Sequence, residues 1–241
     1  MNVTLYKVGN LCGMLAPLWW ASAIIYCGSS RPEYSHFAQY ISELGERGGS
    51  TEFIMRYAGF LPTGLMHMAF AAFLYVAFRG GPLAVIAATL LAINGLARIG
   101  AGLFPCEPGC VGPNRLLSQQ LHSLSAGIGF FALIGASVMW GVLLRGYRSL
   151  RGLGLYSVGS GTVGLVFLLL MVWSAELRAG TGLYERLSSG VLSLWVLVLA
   201  ARLWRLDADS VSVAMSGRGD RAAGTAVLIF PPRPRPVGRK H

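Results

Sequence analysis

The chain has 241 residues, of which 54% are hydrophobic and 12% charged, and its formal net charge is +10. The mean hydropathy of +0.57 and the confinement of charged residues to gaps between long apolar segments exclude a soluble domain. The charge alone would suit a nucleic-acid-binding protein, so its distribution along the chain decides what it means.

Six apolar segments are long enough to span a membrane. About 20 such residues cross a hydrocarbon core of about 30 Å. The segments are Val8–Cys27, Tyr57–Phe78, Pro82–Phe104, His122–Leu144, Leu153–Trp173 and Leu187–Leu203. Because a backbone in hydrocarbon must satisfy its own hydrogen bonds, we expect an all-α bundle of six transmembrane helices within residues 1–206.

The charges alternate between the predicted connections. Basic residues without acidic neighbours flank one set of helix ends: Lys7, Arg79, Arg145, Arg148, Arg151, Arg202 and Arg205. The glutamates lie in or beside the other connections: Glu33, Glu43, Glu46, Glu52, Glu107, Glu176 and Glu185. This positive-inside pattern predicts cytoplasmic termini and acidic loops on the periplasmic or extracellular side of a bacterial inner membrane. Membrane lipids are therefore the expected partners, and nucleic acid is not.

The first long connection, on the predicted outer side, contains the sequence QYISELGERGG. We predict a short interfacial helix over His36–Leu44, with Ser42 and Glu43 near one end. The second apolar segment then carries His67 near mid-membrane, where a buried, hydrogen-bonded histidine is the expected state.

Arg98 is the most informative residue of the third segment. It precedes Phe104 by six positions, which places it roughly 9 Å below the outer helix end. Asn94 lies one turn deeper on the same face. A charge at that depth costs a few kcal/mol unless it is paired or hydrated. One interpretation is that Arg98 and Asn94 bind a ligand, most simply an anionic headgroup or a carboxylate.

The alternative interpretation makes Arg98 purely structural. Its side chain would then extend to the outer headgroups, or form an ion pair with one of four acids: Glu43, Glu107, Glu176 or Glu185. Both interpretations stand at this point.

His122 opens the fourth segment, and the spacing places Ser118 and Ser125 on its face. A histidine at a membrane boundary suits a metal ligand, a general base or an interfacial polar group. If zinc is bound, the residues from which an outer site would be built are His36, His122, Glu43 and Glu107. No HExxH or CxxC spacing accompanies them.

Two cysteines, Cys106 and Cys110, occur in the sequence FPCEPGC, on the side predicted to be oxidising. A disulfide suits that compartment, and Pro108 and Gly109 would supply the turn. The separation of four residues is short, so free thiols remain the alternative.

One formal motif match carries no function. Residues 159–164, GSGTVG, fit the dinucleotide fingerprint GxGxxG, which requires a preceding strand and a βαβ unit. Here the motif lies inside an apolar segment, where small residues allow close helix packing.

Several short motifs together resemble a bacterial family of six-helix integral membrane proteins, domain-of-unknown-function family 998. They are YISELG at residues 40–45, the run from Arg98 to Glu107 that contains GLFPCE, His122, and GLYER at residues 182–186. The resemblance implies a fold and a membrane location and no reaction. A more distant likeness is to membrane hydrolases of the alkaline ceramidase type, which place histidines, a serine and an aspartate around zinc.

These observations favour a protein that binds a lipid or small amphiphile near the outer membrane face. The candidate ligand-binding residues are Arg98, Asn94, Glu43, Ser42, Glu107, His122 and Ser125. The alternatives are a membrane-embedded hydrolase that acts on a lipid, with or without a metal such as zinc, and a small transporter, so enzyme and non-enzyme interpretations both stand. Residues 207–241, which are polar and then rich in Pro and Arg, are expected to form a disordered cytoplasmic tail.

The topology predicts that an impermeant thiol reagent added outside the cell labels Cys106 and Cys110 after reduction. The matched control is the double variant Cys106→Ser/Cys110→Ser, which keeps Cys12 and Cys27. Labelling of the reduced wild type only from the cytoplasmic side would reverse the orientation.

Overall fold

A computed structural model describes residues 3–78, 81–110, 116–147, 150–177 and 179–205. The described residues form helices joined by turns and irregular connections and contain no strand. The helices are α1 (Val3–Ser29), α2 (Leu61–Ala77), α3 (Pro82–Leu103), α4 (Leu117–Leu144), α5 (Arg151–Ser174) and α6 (Thr181–Arg205). All six are long and apolar enough to cross a membrane, α2 together with the turn that leads into it, so the predicted six-helix membrane fold is confirmed. The predicted tail, 207–241, lies outside the described residues.

The six helices close into a ring of neighbours. Each helix packs against the next one along the chain, and α6 returns to pack against α1. Consecutive helices are antiparallel, so the connections α1–α2, α3–α4 and α5–α6 meet at one end of the bundle. We call this the acidic end, because the glutamates lie there.

Glycines set the closest helix contacts. A methyl group added at Gly95 of α3 would lie 2.6 Å from the carbonyl oxygen of Gly64 on α2. Gly141 of α4 and Gly154 of α5 face each other in the same way, at 2.8 Å. Small residues let backbones approach closely where lipid offers no hydrophobic driving force. The GxGxxG motif lies within α5, and Gly161 in it packs on α4.

The apolar core is divided into two clusters. The larger one fills the half of the ring away from the acidic end and includes the fully buried Phe70, Trp140 and Trp195. The smaller one lies at the acidic end and includes Trp20 and Phe60. Of the polar residues that the sequence singled out, Asn94, Arg98 and His122 lie between the two clusters.

A wide turn leads into α2. Residues Ile54–Phe60 form a π-helix that continues directly into α2, where Pro62 occupies the first turn. Proline has no N–H, so the carbonyl of Ala58, four residues earlier, lacks its helical donor. The indole of Trp19 on α1 donates to that oxygen at 2.5 Å. A side chain of α1 thus supplies the hydrogen bond to Ala58 that Pro62 cannot donate.

Two predicted helix boundaries were wrong. The fourth helix begins at Leu117, so His122 lies within α4 and does not open it. The sixth begins at Thr181, so the GLYER residues are helical and not part of a loop. Charges at Glu185 and Arg186 suggested a polar connection. In the structure Glu185 is buried, and Arg186 donates to the carbonyls of Gly182 at the helix start and of Gln39 in the α1–α2 connection.

Residues 31–52, which we call the cap segment, cover the acidic end. The interfacial helix predicted over His36–Leu44 is wrong: turns precede a short 3-10 helix at Ile41–Gly45. Glu43 explains this geometry, because its carboxylate accepts from the Tyr40 backbone N–H at 2.9 Å and from the Gln39 amide at 2.8 Å. A carboxylate so used fixes a local turn.

The cap segment is fastened on two sides. Towards α6, the Ile41 backbone N–H donates to Glu185 at 2.6 Å, and the Leu183 N–H donates to the Phe37 carbonyl at 2.9 Å. Towards the α3–α4 connection, the Arg47 N–H donates to the Cys106 carbonyl at 2.9 Å. The cap is therefore an ordered part of the fold.

Arg186 of α6 joins two aromatic side chains of the cap. Its guanidinium donates to the Tyr34 hydroxyl and, at 3.2 Å, to Nδ1 of His36. The Tyr34 ring also packs edge-on against the His36 ring. Burial raises the pKa of Tyr34 despite Arg186 beside it, so its hydroxyl stays protonated. Burial and then the charge of Arg186 lower the pKa of His36 from its ordinary 6.5.

The glycine contacts predict a selective sensitivity to added volume. Gly95→Ala should destabilise the bundle by about 1–3 kcal/mol, because the new methyl group meets the Gly64 backbone. Gly190→Ala on α6 is the matched control, since nothing lies within 4 Å of its added methyl group. The measurement is the thermal unfolding midpoint in detergent. Equal midpoints for the two variants would contradict the close α2–α3 contact.

The His36 contact predicts a pH dependence with a defined sign. Because the folded pKa lies below 6.5, the unfolded chain binds more protons as the pH falls through that value. The contribution of His36 to stability is therefore complete above pH 6.5 and is lost as the pH falls below it. His36→Gln should flatten the change in unfolding midpoint between pH 7.5 and 5.5, values chosen to lie about one unit either side. Identical pH profiles for wild type and variant would contradict the prediction.

Candidate functional site

A pocket lies between the two core clusters, near the acidic end. It is lined by α1, the cap segment, the end of the π-turn, α3, α4 and α6, and its empty volume is about 580 Å³ counted out to its open mouth. The lining is mostly apolar. Its polar or charged members are Ser42, Asn94, Arg98, His122, Ser125, Glu185 and Ser189. An apolar pocket with a few convergent polar groups is the usual form of a small-molecule site.

Arg98 lies inside this pocket without a hydrogen-bond partner among the residues that the structure describes. Its guanidinium carbon is 4.3 Å from the centre of the Trp20 ring, so the side chain turns into the bundle and stacks on α1. Its Nε is buried and unbonded. None of the four acids considered from the sequence lies within 4.0 Å of it, and no other described residue forms an ion pair with it. The indole therefore offers the guanidinium a cation–π contact and no hydrogen bond.

Asn94, one turn below Arg98, belongs to a hydrogen-bonded chain. Its amide nitrogen donates to the Gly129 carbonyl on α4 at 2.8 Å, and its amide oxygen is 2.6 Å from Nδ1 of His67 on α2. Because that oxygen only accepts, Nδ1 of His67 carries the proton. His67 is the buried, hydrogen-bonded histidine that was expected. This chain links α2, α3 and α4 at the floor of the pocket.

His122 is held by the end of α3. Its Nδ1 lies 2.8 Å from the Phe104 carbonyl and 3.1 Å from the Ala101 carbonyl. Carbonyls only accept, so Nδ1 is protonated, and in the neutral form of the ring Nε2 is an acceptor. Ser125 lines the same pocket, whereas the Ser118 hydroxyl donates to the Pro105 carbonyl outside it.

Glu185 is the charged lining residue that the sequence did not mark as a ligand. It lies in the second turn of α6, is 8% exposed, and accepts the Ile41 N–H through Oε2. From the sequence, Glu185 was considered only as an ion-pair partner for Arg98. The signal for its position, a regular helix extending back to Thr181, was hidden by the charges at 185 and 186. Trp20 and Ser189 were also missed; the Trp20 indole donates to the Ser189 hydroxyl at 3.1 Å.

Two predicted ligand residues lie elsewhere. Glu43 does not line the pocket, because its carboxylate caps the 3-10 helix. Glu107 forms an ion pair with Arg47, 3.0 Å between Oε1 and Nε, at the surface of the acidic end. Neither residue reaches the pocket, although Ser42 beside Glu43 does.

The four residues proposed for zinc do not form a cluster in the described chain. His36 contacts Arg186, and Glu107 contacts Arg47. The one described group with metal-ligand spacing is Cys106, Cys110 and His122, whose ligand atoms lie within 4.8 Å of one another. Cys106 and Cys110 are joined in a disulfide, which takes both sulfurs out of ligation.

Comparison with known proteins adds a family. No curated protein and no solved structure matches the chain. The family described as "Protein of unknown function (DUF998)" matches residues 14–202, a range that covers α2 to α5 in full, most of α1 and α6, and every lining residue of the pocket. The chain, a six-helix multi-pass membrane protein, belongs to this family.

Proposed function

We propose that the pocket binds a lipid or small amphiphile through an anionic group held by Arg98. The observation that carries the proposal is a guanidinium turned into the bundle with no hydrogen-bond or ion-pair partner among the described residues. An arginine within a membrane span usually faces a partner, a cavity or a ligand.

The energetics favour a bound anion. An arginine at the centre of a membrane span costs ~2.5–3.5 kcal/mol on insertion scales, and Arg98 lies between that centre and the end of α3. The stacking on Trp20 returns about 0.5–2 kcal/mol. A carboxylate or phosphate oxygen would supply the charge-assisted hydrogen bonds that the indole cannot, each roughly twice as strong as a neutral one. The lack of a hydrogen-bond partner for Arg98 among the described residues and the cost of placing its charge in the membrane both favour an anionic ligand group.

The rest of the lining suits an apolar chain. Beside the polar residues stand Phe60, Phe130 and Leu133, which belong to or pack against the two core clusters. On the expected topology the site opens near the outer leaflet, where amphiphiles present a headgroup and a tail together. The combination of one cationic group and an apolar wall supports an amphiphile over a small polar solute.

A hydrolase is supported less well. His122 and Ser125 line one pocket, and the neutral ring keeps a free acceptor nitrogen. A nucleophile needs its base within hydrogen-bond reach and a third group to orient that base. No His122–Ser125 hydrogen bond occurs in the described chain, and two main-chain carbonyls orient the ring where a carboxylate would be expected.

A transporter is also less well supported. The polar line from Arg98 through Asn94 ends at His67. Beyond it lies the larger apolar cluster with Phe70 and Trp140. A path for a polar solute would have to continue through that cluster.

The test is lipid retention by variants of the purified protein. Arg98→Leu should reduce co-purified amphiphile, measured by native mass spectrometry, by about tenfold or more, because charge-assisted hydrogen bonds are lost. His122→Ala should have a smaller effect. The matched control is Arg47→Gln, an arginine of the acidic end that pairs with Glu107 outside the pocket.

Each outcome is decisive for the headgroup role. Unchanged retention in Arg98→Leu, or equal loss in Arg98→Leu and Arg47→Gln, would remove it. Stoichiometric zinc that disappears in His122→Ala would instead favour the hydrolase. Arg98→Lys, which keeps the charge without the planar fork, should fall between wild type and Arg98→Leu.

A further inference from the structure

We infer that the ligand headgroup is zwitterionic, with an anionic group at Arg98 and a primary ammonium at Glu185. This inference rests on the proposed function and names the chemistry of its ligand. It follows from Glu185, the second charged residue of the pocket. A purely anionic ligand would offer Glu185 no group of opposite charge.

The position of Glu185 suits a residue that binds a ligand. It is more than nine-tenths buried and lines the same pocket as Arg98. Its Oε2 accepts the Ile41 N–H at 2.6 Å, while its Oε1 accepts no hydrogen bond from the residues that the structure describes. One oxygen therefore fixes the carboxylate, and the other is available to a donor.

Arg98 and Glu185 do not neutralise each other by direct contact. Each charge acts on the other electrostatically, yet their polar atoms are farther apart than the 4.0 Å of an ion pair. Two opposite charges on the walls of one apolar pocket present a dipole to the space between them. A ligand complementary to that dipole carries both signs.

The neighbouring charges leave this dipole in place. Arg186 and Glu43 also act on Glu185, and they have opposite signs. Arg186 is engaged with Tyr34 and His36, and Glu43 with the cap backbone. Neither lines the pocket. A second anion brought beside Glu185 would be repelled, so a purely anionic headgroup is disfavoured.

The other polar groups favour a cation that donates hydrogen bonds. His122 retains an acceptor nitrogen, and Glu185 retains an acceptor oxygen. A primary ammonium has three N–H donors for such acceptors, whereas a quaternary ammonium has none. The geometry thus corresponds to a phosphate or carboxylate joined to a primary amine, either as a lipid headgroup or as a free zwitterion.

The experiment compares headgroups at constant chain length. Lipid-depleted protein in detergent is titrated with dilauroyl phosphatidylethanolamine, dilauroyl phosphatidylglycerol and soluble glycerophosphoethanolamine, and the dissociation constants are measured calorimetrically. Wild type should prefer the ethanolamine lipid over the glycerol lipid by about tenfold, the value of one charge-assisted hydrogen bond. Tight binding of glycerophosphoethanolamine would identify a free zwitterion as the ligand, and binding of the lipid alone would identify a lipid headgroup.

Glu185→Gln is the decisive variant. Its amide oxygen still accepts the Ile41 N–H, so the cap stays attached, but the negative charge is gone. The preference for ethanolamine should disappear while binding of phosphatidylglycerol persists or improves. Glu176→Gln, an exposed acid of the same end, is the matched control and should keep the wild-type preference.

The failures are distinguishable. If Arg98→Leu weakens both lipids but wild type does not discriminate between them, or Glu185→Gln keeps the preference, the zwitterion inference is wrong and the proposed function stands. If Arg98→Leu changes the binding of no probe, the proposed function is wrong and the inference falls with it.

Discussion

The hydrogen bond between the Ile41 backbone and Glu185 is the contact on which the site depends. A main-chain N–H buried at the edge of a hydrocarbon core needs an acceptor, and α6 supplies a carboxylate for it. The bond holds the cap segment over the ring of helices. It also holds this carboxyl group in the lining of the pocket that contains the stacked guanidinium of Arg98. This one hydrogen bond therefore fixes both the position of the cap segment and the position of the Glu185 carboxyl group in the pocket.

The rest of the bundle supports that arrangement by pairing polar atoms across helices. The Trp19 indole satisfies a carbonyl that Pro62 leaves free, and the His67–Asn94 pair connects the α2, α3 and α4 backbones. In hydrocarbon such contacts determine which helices lie side by side, because apolar surface is satisfied equally by lipid. The glycine contacts then bring the backbones close enough for the short side chains to reach.

Much of the fold could be predicted from the sequence, because every segment that crosses the hydrocarbon core must have a minimum length and must satisfy its backbone hydrogen bonds internally. The positions of Arg98, Asn94, His122 and Ser125 in one pocket follow from helical spacing. Glu43 was predicted as a ligand residue but caps a turn, whereas Glu185, which was considered only as an ion-pair partner of Arg98, lines the pocket. A carboxylate that caps its own turn and one that faces a pocket look alike in sequence, since both follow small or aromatic residues in polar stretches. Only the start of α6 at Thr181 separates them.

The two-sided fastening of the cap has a consequence for ligand exchange. Hydrogen bonds tie the cap both to α6 and to the connection that carries Cys106, so opening it from the aqueous side breaks several at once. Helix faces that no hydrogen bond joins are held by apolar contacts, which acyl chains can replace. If the ligand is the proposed lipid, it would therefore exchange sideways through the bilayer, and the exchange rate would follow the fluidity and composition of the membrane more closely than the concentration of solutes in water.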